Sequence, residues 1–436
     1  MATGSPAPGD DPALAAAPPS AHPPARAPAH TSTPTPAPVP TPGDVPGGAE
    51  RLLETLLAEV HTVAPMDLPA LVDRCAPLLG VENIVIYLVD LQQRHLTPLT
   101  HGPPTIALDT STPGWAYRTI ELRVEESPEG GLMAWLPLVD GAERLGILGI
   151  RTVALDPTRL RRCRMLASVL AMAITSKRAY SDTIARQSRT EPMDLPAEML
   201  RALLPPRTIG NDHAVSTAVL EPAYHIGGDA FDHSLTKSTL HAAIFDAMGH
   251  NLASGLTTTV AVAGCRNARR AGAELPELVD TIDQALGQWL PDQYCTGVIT
   301  QLDLADGVLH WCNCGHPPPL LIRGQRVLDA AMERPEQPPM GLPAQFSTAP
   351  RAAYETLLEP GDRVLLYTDG VTEARIEGGG RLGLRRFTDS IIRGAAAGER
   401  APETLRRIIH SILDHQKDQL RDDATLLLIE WRPPRR

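Results

Sequence analysis

At 436 residues and 43% apolar content, the chain is long enough for two or three domains with sizeable cores. Its formal charge of −11 argues against nucleic acid as the main partner, because phosphate backbones are held by clustered Lys and Arg. A small phosphorylated substrate remains open, since a metal supplies positive charge locally.

The six cysteines follow no disulfide spacing and read as reduced thiols of a cytoplasmic protein. The N-terminus lacks the basic start and apolar core of a secretory signal. The most apolar stretch, Met165 to Thr175, is far short of the ~20 residues that span a bilayer. Residues 1–48 are mostly Pro, Ala, Gly, Thr and Ser, a composition that buries too little apolar surface to offset its ordering entropy. A disordered, partly polyproline-II tail is expected there.

Order begins near Glu50, where Leu52, Leu53, Leu56, Leu57 and Val60 recur at helical spacing. A second helix is expected from about Leu68 to Leu79, ended by Gly80, followed by a strand from Ile84 to Val89. Leu132–Val139 and Leu145–Val153 read as a hairpin turning at Asp140-Gly141, and Thr158 to about Lys177 as a helix with an apolar stripe. Helices at both ends of a small antiparallel sheet make residues 49–180 an α+β domain. The opening helix, the strand after Gly80-Val81, and Leu136-Pro137-Leu138-Val139-Asp140-Gly141 leading to Leu145-Gly146-Ile147-Leu148-Gly149 resemble a small GAF-type sensory domain. The resemblance implies an unknown small ligand, or self-association into a homodimer. His61, Cys75, His95 and His101 fit no metal or haem geometry and read as ordinary core or surface residues.

Residues 181–207 form a connector, interrupted by Pro192, Pro196, Pro205 and Pro206, with a short amphipathic helix from Pro196 to Leu204. Such a segment is either a plain linker or a regulatory one. Residues 208–436 then alternate between strands and helices. Strands are expected at Ala214–Leu220, Thr239–Phe245, Gly297–Leu304, Val308–Cys314, from Leu320, at Arg363–Thr368 and at Ala424–Trp431. Helices are expected at Leu252–Arg270, across Leu275 to Leu290, and across Leu405 to Leu413. Two packed sheets with helices outside, an α-β-β-α sandwich, fit this inventory.

The chemistry lies in the aspartates. Asp246 and Asp369 each follow an apolar strand and precede a glycine-containing turn; Asp422 stands just before another strand; Asp229 follows Gly227-Gly228, where the backbone approaches an ion closely. Hard divalent ions prefer such oxygens, and bound cations relieve the repulsion that a carboxylate cluster would otherwise suffer. One Asp-Gly at a strand end is ordinarily just a turn; the ordered set carries the argument. Gly227-Gly228-Asp229-Ala230-Phe231-Asp232, Asp246-Ala247-Met248-Gly249-His250, Asn313-Cys314-Gly315-His316-Pro317, Tyr367-Thr368-Asp369-Gly370-Val371-Thr372-Glu373-Ala374 and Arg421-Asp422-Asp423-Ala424-Thr425 resemble the metal-dependent (PPM-type) protein serine/threonine phosphatases. The branch is that typified by the bacterial sporulation stage II phosphatases, and the resemblance covers about residues 195–432.

The resemblance implies two Mn²⁺ or Mg²⁺ ions and in-line attack on phosphorus by an activated water, without a phosphoenzyme. Catalysis would rest on Asp246, Asp229 and Asp369. The metal ligands would be Asp229, a bridging Asp246, the carbonyl of Ala247, Asp369 and Asp422. Asp423 would orient its neighbour or replace it as ligand, beside Gly370; Asp232 would be structural or lie outside the ligand shell. His250 would pack near the metal loop or donate a proton. The implied substrate is a phosphorylated signalling protein of the anti-sigma-factor-antagonist type. His310, Cys312, Cys314 and His316 alternate on one strand, too close together to wrap a tetrahedral zinc, and buried thiols are expected instead. Phe231, the Asp232-His233-Ser234 stretch and Asn251 depart from the family pattern. They keep two rival readings open: a phosphatase-fold scaffold that acts by docking, and a two-metal hydrolase of small phosphoesters.

Overall fold

The computed structural model describes residues 48–128, 130–225, 227–249, 251–328, 330–335, 337–342, 350–374, 383–416, 420 and 422–433. The Pro- and Ala-rich tail expected at residues 1–48 lies, but for its last residue, outside them.

The N-terminal part runs α1 (Gly48–Glu59), α2 (Leu68–Leu79), β1 (Asn83–Val89), β2 (His95–Pro98), β3 (Ile106–Ala107), α3 (Thr112–Thr119), β4 (Arg123–Glu126), β5 (Leu132–Asp140), β6 (Glu143–Thr152) and α4 (Pro157–Arg178). Its strands form one antiparallel sheet in the order β3-β2-β1-β6-β5-β4. The expected helix stop at Gly80 is a left-handed turn with φ of 68°, a conformation glycine adopts without a Cβ penalty. Helix α4 starts where the Asp156 carboxylate accepts hydrogen bonds from the Thr158 and Arg159 amides, with Pro157 in its first turn. Its buried stripe, Leu166, Leu170 and Ile174, packs with α1 and α2 on one face of the sheet, in a core that includes Ile84, Ile86, Leu136 and Leu148. The short α3 packs on the other face, with Tyr87, Tyr117 and Trp135.

Two short helices, α5 (Asp182–Gln187) and α6 (Leu195–Leu203), lead into the C-terminal part. There follow β7 (Thr208–Gly210), β8 (Ala214–Glu221), β9 (Asp229–Leu235), β10 (Thr239–Ala247), α7 (Leu252–Arg270), α8 (Leu275–Trp289), β11 (Cys295–Asp303), β12 (Val308–Cys314), β13 (Leu320–Arg323), β14 (Arg326–Val327), β15 (Tyr354–Leu357), β16 (Arg363–Tyr367), α9 (Asp369–Glu373), α10 (Gly383–Ala396), α11 (Ala401–His415) and β17 (Ala424–Trp431). One antiparallel sheet has the order β15-β12-β11-β10-β9, the other β14-β13-β16-β17-β8-β7.

Side-chain alternation explains the layering. On β17, Leu427 and Ile429 enter the core between the sheets with Phe231, Ile244, Val298 and Trp311. Its intervening Leu426 and Leu428 meet Phe387 of α10 and Ile408 of α11 on the outside. On the first sheet, Ile244 faces inward while Ala243 and Phe245 meet Val262 of α7 and Ile282 of α8. The result is the expected α-β-β-α sandwich.

Asp229 begins β9, because Ala230 and Phe231 each bury against a different layer. Asp369 begins the short helix α9 instead of a simple turn, and Val371 of that helix is fully buried.

Candidate metal centre

Strand pairing brings the first two aspartates together. Asp229 and Asp246 are direct partners across β9 and β10, at the same end of the first sheet. The second sheet meets them there. Asp229 is 2% exposed, and its Oδ2 accepts hydrogen bonds from the Thr368 hydroxyl at 2.8 Å and the Thr425 hydroxyl at 2.6 Å. Those threonines immediately precede α9 and sit in β17, so Asp229 clamps one sheet to the other beside Asp369 and Asp422.

Asp423 closes the loop in front of β9. Its Oδ2 accepts the amide hydrogens of Gly227, Gly228 and Asp229 at 2.8, 2.7 and 3.1 Å. Three donors on one buried carboxylate fix the loop that aims Asp229. Asp423 is thus engaged with the glycine loop, while Asp422 stays exposed at the rim. Two glycines permit the close approach. A Cβ on Gly370 would lie 2.0 Å from the Asp423 carbonyl oxygen, and one on Gly228 would lie 2.6 Å from that of Ala247. The Ala247 carbonyl therefore lies against the glycine loop, and the Ala247 amide in turn donates to Gly228 O at 3.1 Å.

The electrostatics show how crowded the basin is. Burial, then the charges of Asp369, Asp422 and Asp423, push Asp246 up to about 7. Burial, then Asp246 and Asp423, raise Asp229 well above the usual carboxylate range, against the opposing hydroxyls of Thr425 and Thr368. Asp369 is raised by burial, with Asp422 and Glu373 adding to it. Asp423 is raised by burial despite its three amide donors. Carboxylates from both sheets thus face one another, and no cation among the contributors to Asp246 relieves it. Among the described residues no three His, Cys, Asp or Glu side chains already stand as a closed cage for an ion. The donor set nonetheless fits hard divalent cations: all oxygen, mutually repelling, and open to solvent at Asp369 and Asp422.

Other predicted residues fall elsewhere. Asp232 is separated from Asp229 by the strand's alternation and faces α7, where Arg266 and Arg269 each reach it at 2.7 Å. It ties β9 to α7 and is no ligand. His316 is a buried strut: its Nε2 lies 3.0 Å from the Tyr367 carbonyl and its Nδ1 3.0 Å from the Thr296 hydroxyl. Burial lowers its pKa to about 4, so it is neutral, donating to the carbonyl and accepting from the hydroxyl. The signal was the rigid Asn313–His316 turn, in which the Asn313 side chain bonds both the amide and the carbonyl of His316. Thr368 and Thr425 were missed as the holders of Asp229; only their places beside Asp369 and Asp423 hinted at it. Cys312 and Cys314 are buried thiols, whereas His310 pairs with Glu355 at 3.4 Å, so the zinc arrangement does not form. His250 and Arg421 lie outside the described residues.

A two-sheet sandwich flanked by helices brings aspartates of both sheets to one edge. Residues 236–432 match the family model described as stage II sporulation protein E (SpoIIE). Asp229 lies just before the matched segment. The phosphoserine phosphatase RsbU of Bacillus subtilis (strain 168) is 21% identical over 215 residues, covering 49% of this chain and 62% of RsbU. The chain thus spans less than two thirds of that relative's length. Among solved structures, the RsbU and RsbW domains of a Mycobacterium tuberculosis protein are 23% identical at a TM-score of 0.44, covering 53% of this chain and 63% of the other. The SiaA PP2C domain of Pseudomonas aeruginosa is 21% identical at a TM-score of 0.45, covering 54% and 94%.

Proposed function

We propose that the chain is a Mn²⁺- or Mg²⁺-dependent phosphatase of phosphoserine or phosphothreonine in a signalling protein, of the anti-sigma-factor-antagonist type. The observation that carries the reading is the meeting of Asp246 and Asp229, paired in register on one sheet, with Asp369 and Asp422 from the other. RsbU, a phosphoserine phosphatase by name, supports the substrate class.

In this reading Asp229 and Asp246 would hold the two ions. The Ala247 carbonyl, Asp369 and Asp422 complete the shells. When bound, the ions supply an acidified water and neutralise charge on the phosphoryl oxygens. The chain's own residues do the rest. Thr368 and Thr425 hold the Asp229 carboxylate in one rotamer; Asp423 fixes the loop behind it; the neutral His316 ties the end of β16 to β11 beneath Asp246. The six cysteines are all buried, and burial raises the thiols of Cys295, Cys312 and Cys314, which suits a mechanism without a thiolate nucleophile.

Residues 49–180 act in this reading as a GAF-like sensor, residues 181–207 as the linker, and residues 208–436 as the catalytic domain. The sensor is seated on α11 by a buried polar node. Arg406 is 0% exposed; it reaches Glu403 at 2.9 Å and Asp109 at 2.5 Å, and it donates to the Gln93 carbonyl at 3.1 Å. Arg144 meets Glu403 at 3.0 Å. No helix among the described residues is long and apolar enough to cross a membrane.

The test is phosphate release from a phosphoserine protein with and without Mn²⁺, for the native chain and Asp369→Asn. Metal-dependent turnover lost in the variant is the expected result. Full turnover in Asp369→Asn would refute the role given to Asp369, whereas no turnover by the native chain on any phosphoprotein would favour the docking scaffold.

A further inference from the structure

A second charged site lies away from the aspartates, between the N-terminal sheet and the linker. The end of β1, the start of β6, the C-terminal end of α4, and helices α5 and α6 enclose a cavity of about 370 Å³. Arg144, Arg178, Arg189, Arg201 and Arg207 line it, in a chain whose net charge is −11. The matching acids are fewer: Glu143 and Glu198 in the lining, and Glu221 buried behind Arg201.

Two of the guanidiniums are already neutralised. Arg144 pairs with Glu403 at 3.0 Å and Arg189 with Glu198 at 2.7 Å. Three are not. Arg201 donates to the Ala223 carbonyl at 3.1 Å and Arg207 to the Leu91 carbonyl at 2.6 Å; carbonyls orient a guanidinium but leave its charge in place. Arg178, exposed in the last turn of α4, makes no hydrogen bond or ion pair among the described residues. Burial, then the neighbouring Arg207, lower Arg201 to about 10 against the opposing charge of Glu221. Glu143 spends one oxygen on the Thr208 amide at 2.8 Å, and burial pushes Glu221 up to about 7, so neither acid fully offsets them.

The remaining walls are apolar: Leu145, Ile174, Ile184 and Met193. A pocket with guanidiniums on one side and aliphatic side chains on the other selects a ligand with both characters. Its volume suits a small molecule and excludes a folded partner. Guanidinium is the donor of choice for phosphate oxygens, through paired N–H groups.

We propose that this cavity binds a small phosphoryl-bearing metabolite with a ring or apolar body, held at its anionic end by Arg178, Arg201 and Arg207. The site is independent of the catalytic reading, because none of its residues belongs to the aspartate cluster.

The test measures binding to the full chain by calorimetry in excess EDTA, where the aspartate basin carries no metal and repels anions. The probes are phenylphosphonate, adenosine monophosphate, inorganic phosphate and neutral adenosine. Saturable binding of the first two is expected, with weaker binding of inorganic phosphate, none of adenosine, and weakening as salt rises. Equal binding of inorganic phosphate would assign the site to the free ion and overturn the body-bearing ligand. Arg201→Met and Arg178→Gln should each weaken phenylphosphonate by at least about tenfold, the worth of one charge-assisted contact. Arg178→Gln guards against misfolding, since Arg178 supports no other group, and Asp369→Asn should bind as the native chain does. Absence of saturable binding by every probe overturns the proposal, as does undiminished binding in a folded Arg178→Gln.

Discussion

Replacing Asp246 by Asn should make the metal-free protein more stable while abolishing metal-dependent turnover. In the folded chain Asp246 titrates near 7, against an ordinary carboxylate value near 4. At about 1.4 kcal/mol per pH unit, ionising it in the fold costs up to about 4 kcal/mol more than in the unfolded chain. Part of that repulsion passes to Asp369 and Asp422 and is screened at the solvent-facing edge, so a gain of about 1–3 kcal/mol is expected from the amide. The sign follows from linkage. The folded pKa is raised, so the native protein binds the proton more tightly than the unfolded chain and loses stability as pH rises from about 4 to about 7. The advantage of Asp246→Asn should therefore be small near pH 4, grow through that window and level off above it. Urea melts in EDTA across pH 4–8 measure this, and the same melts with Mn²⁺ should stabilise the native chain and leave the variant nearly unmoved. An apo variant less stable than the native chain at pH 8, or one that Mn²⁺ stabilises as strongly, would refute the assignment of Asp246 to a repelling cluster that cations relieve.

Asp423→Ala should free the amides of Gly227, Gly228 and Asp229; their hydrogen exchange is expected to accelerate at least about tenfold, with turnover falling in parallel. Arg406→Met should destabilise the chain by about 2 kcal/mol in urea melts, because it removes one of the two guanidiniums that pair with the buried Glu403 and leaves the Gln93 carbonyl short of a donor. Gly287→Ala lies on the exposed side of α8 with open space around its Cβ; helix propensity predicts a gain of about 0.5–1 kcal/mol in the same melts, with activity unchanged.

Much of the site was legible as local grammar. Apolar runs ended by Asp-Gly, the Gly227-Gly228 pair and the Asp422-Asp423 doublet mark strand ends and close backbone approaches, which depend on near neighbours. The same holds for the α2 stop at Gly80 and the hairpin at Asp140-Gly141. The short strands β2, β3, β7 and β15 carried too few periodic residues to be read. What pattern alone could not supply was pairing across distance. That Asp229 faces Thr368 and Thr425 while Asp232, three residues on, faces Arg266 and Arg269 depends on which side of β9 meets the second sheet. That Asp423 clasps a loop nearly two hundred residues earlier depends on how β17 registers against β8. The buried Arg406 node and the arginine-lined cavity arise only where the N-terminal sheet rests on α11 and the linker. Residue types and their spacing determined the donor chemistry, because ligand preference belongs to side chains. Tertiary packing decided which carboxylates share a charge environment, because Coulomb repulsion and desolvation depend on distance and burial, which no linear pattern records.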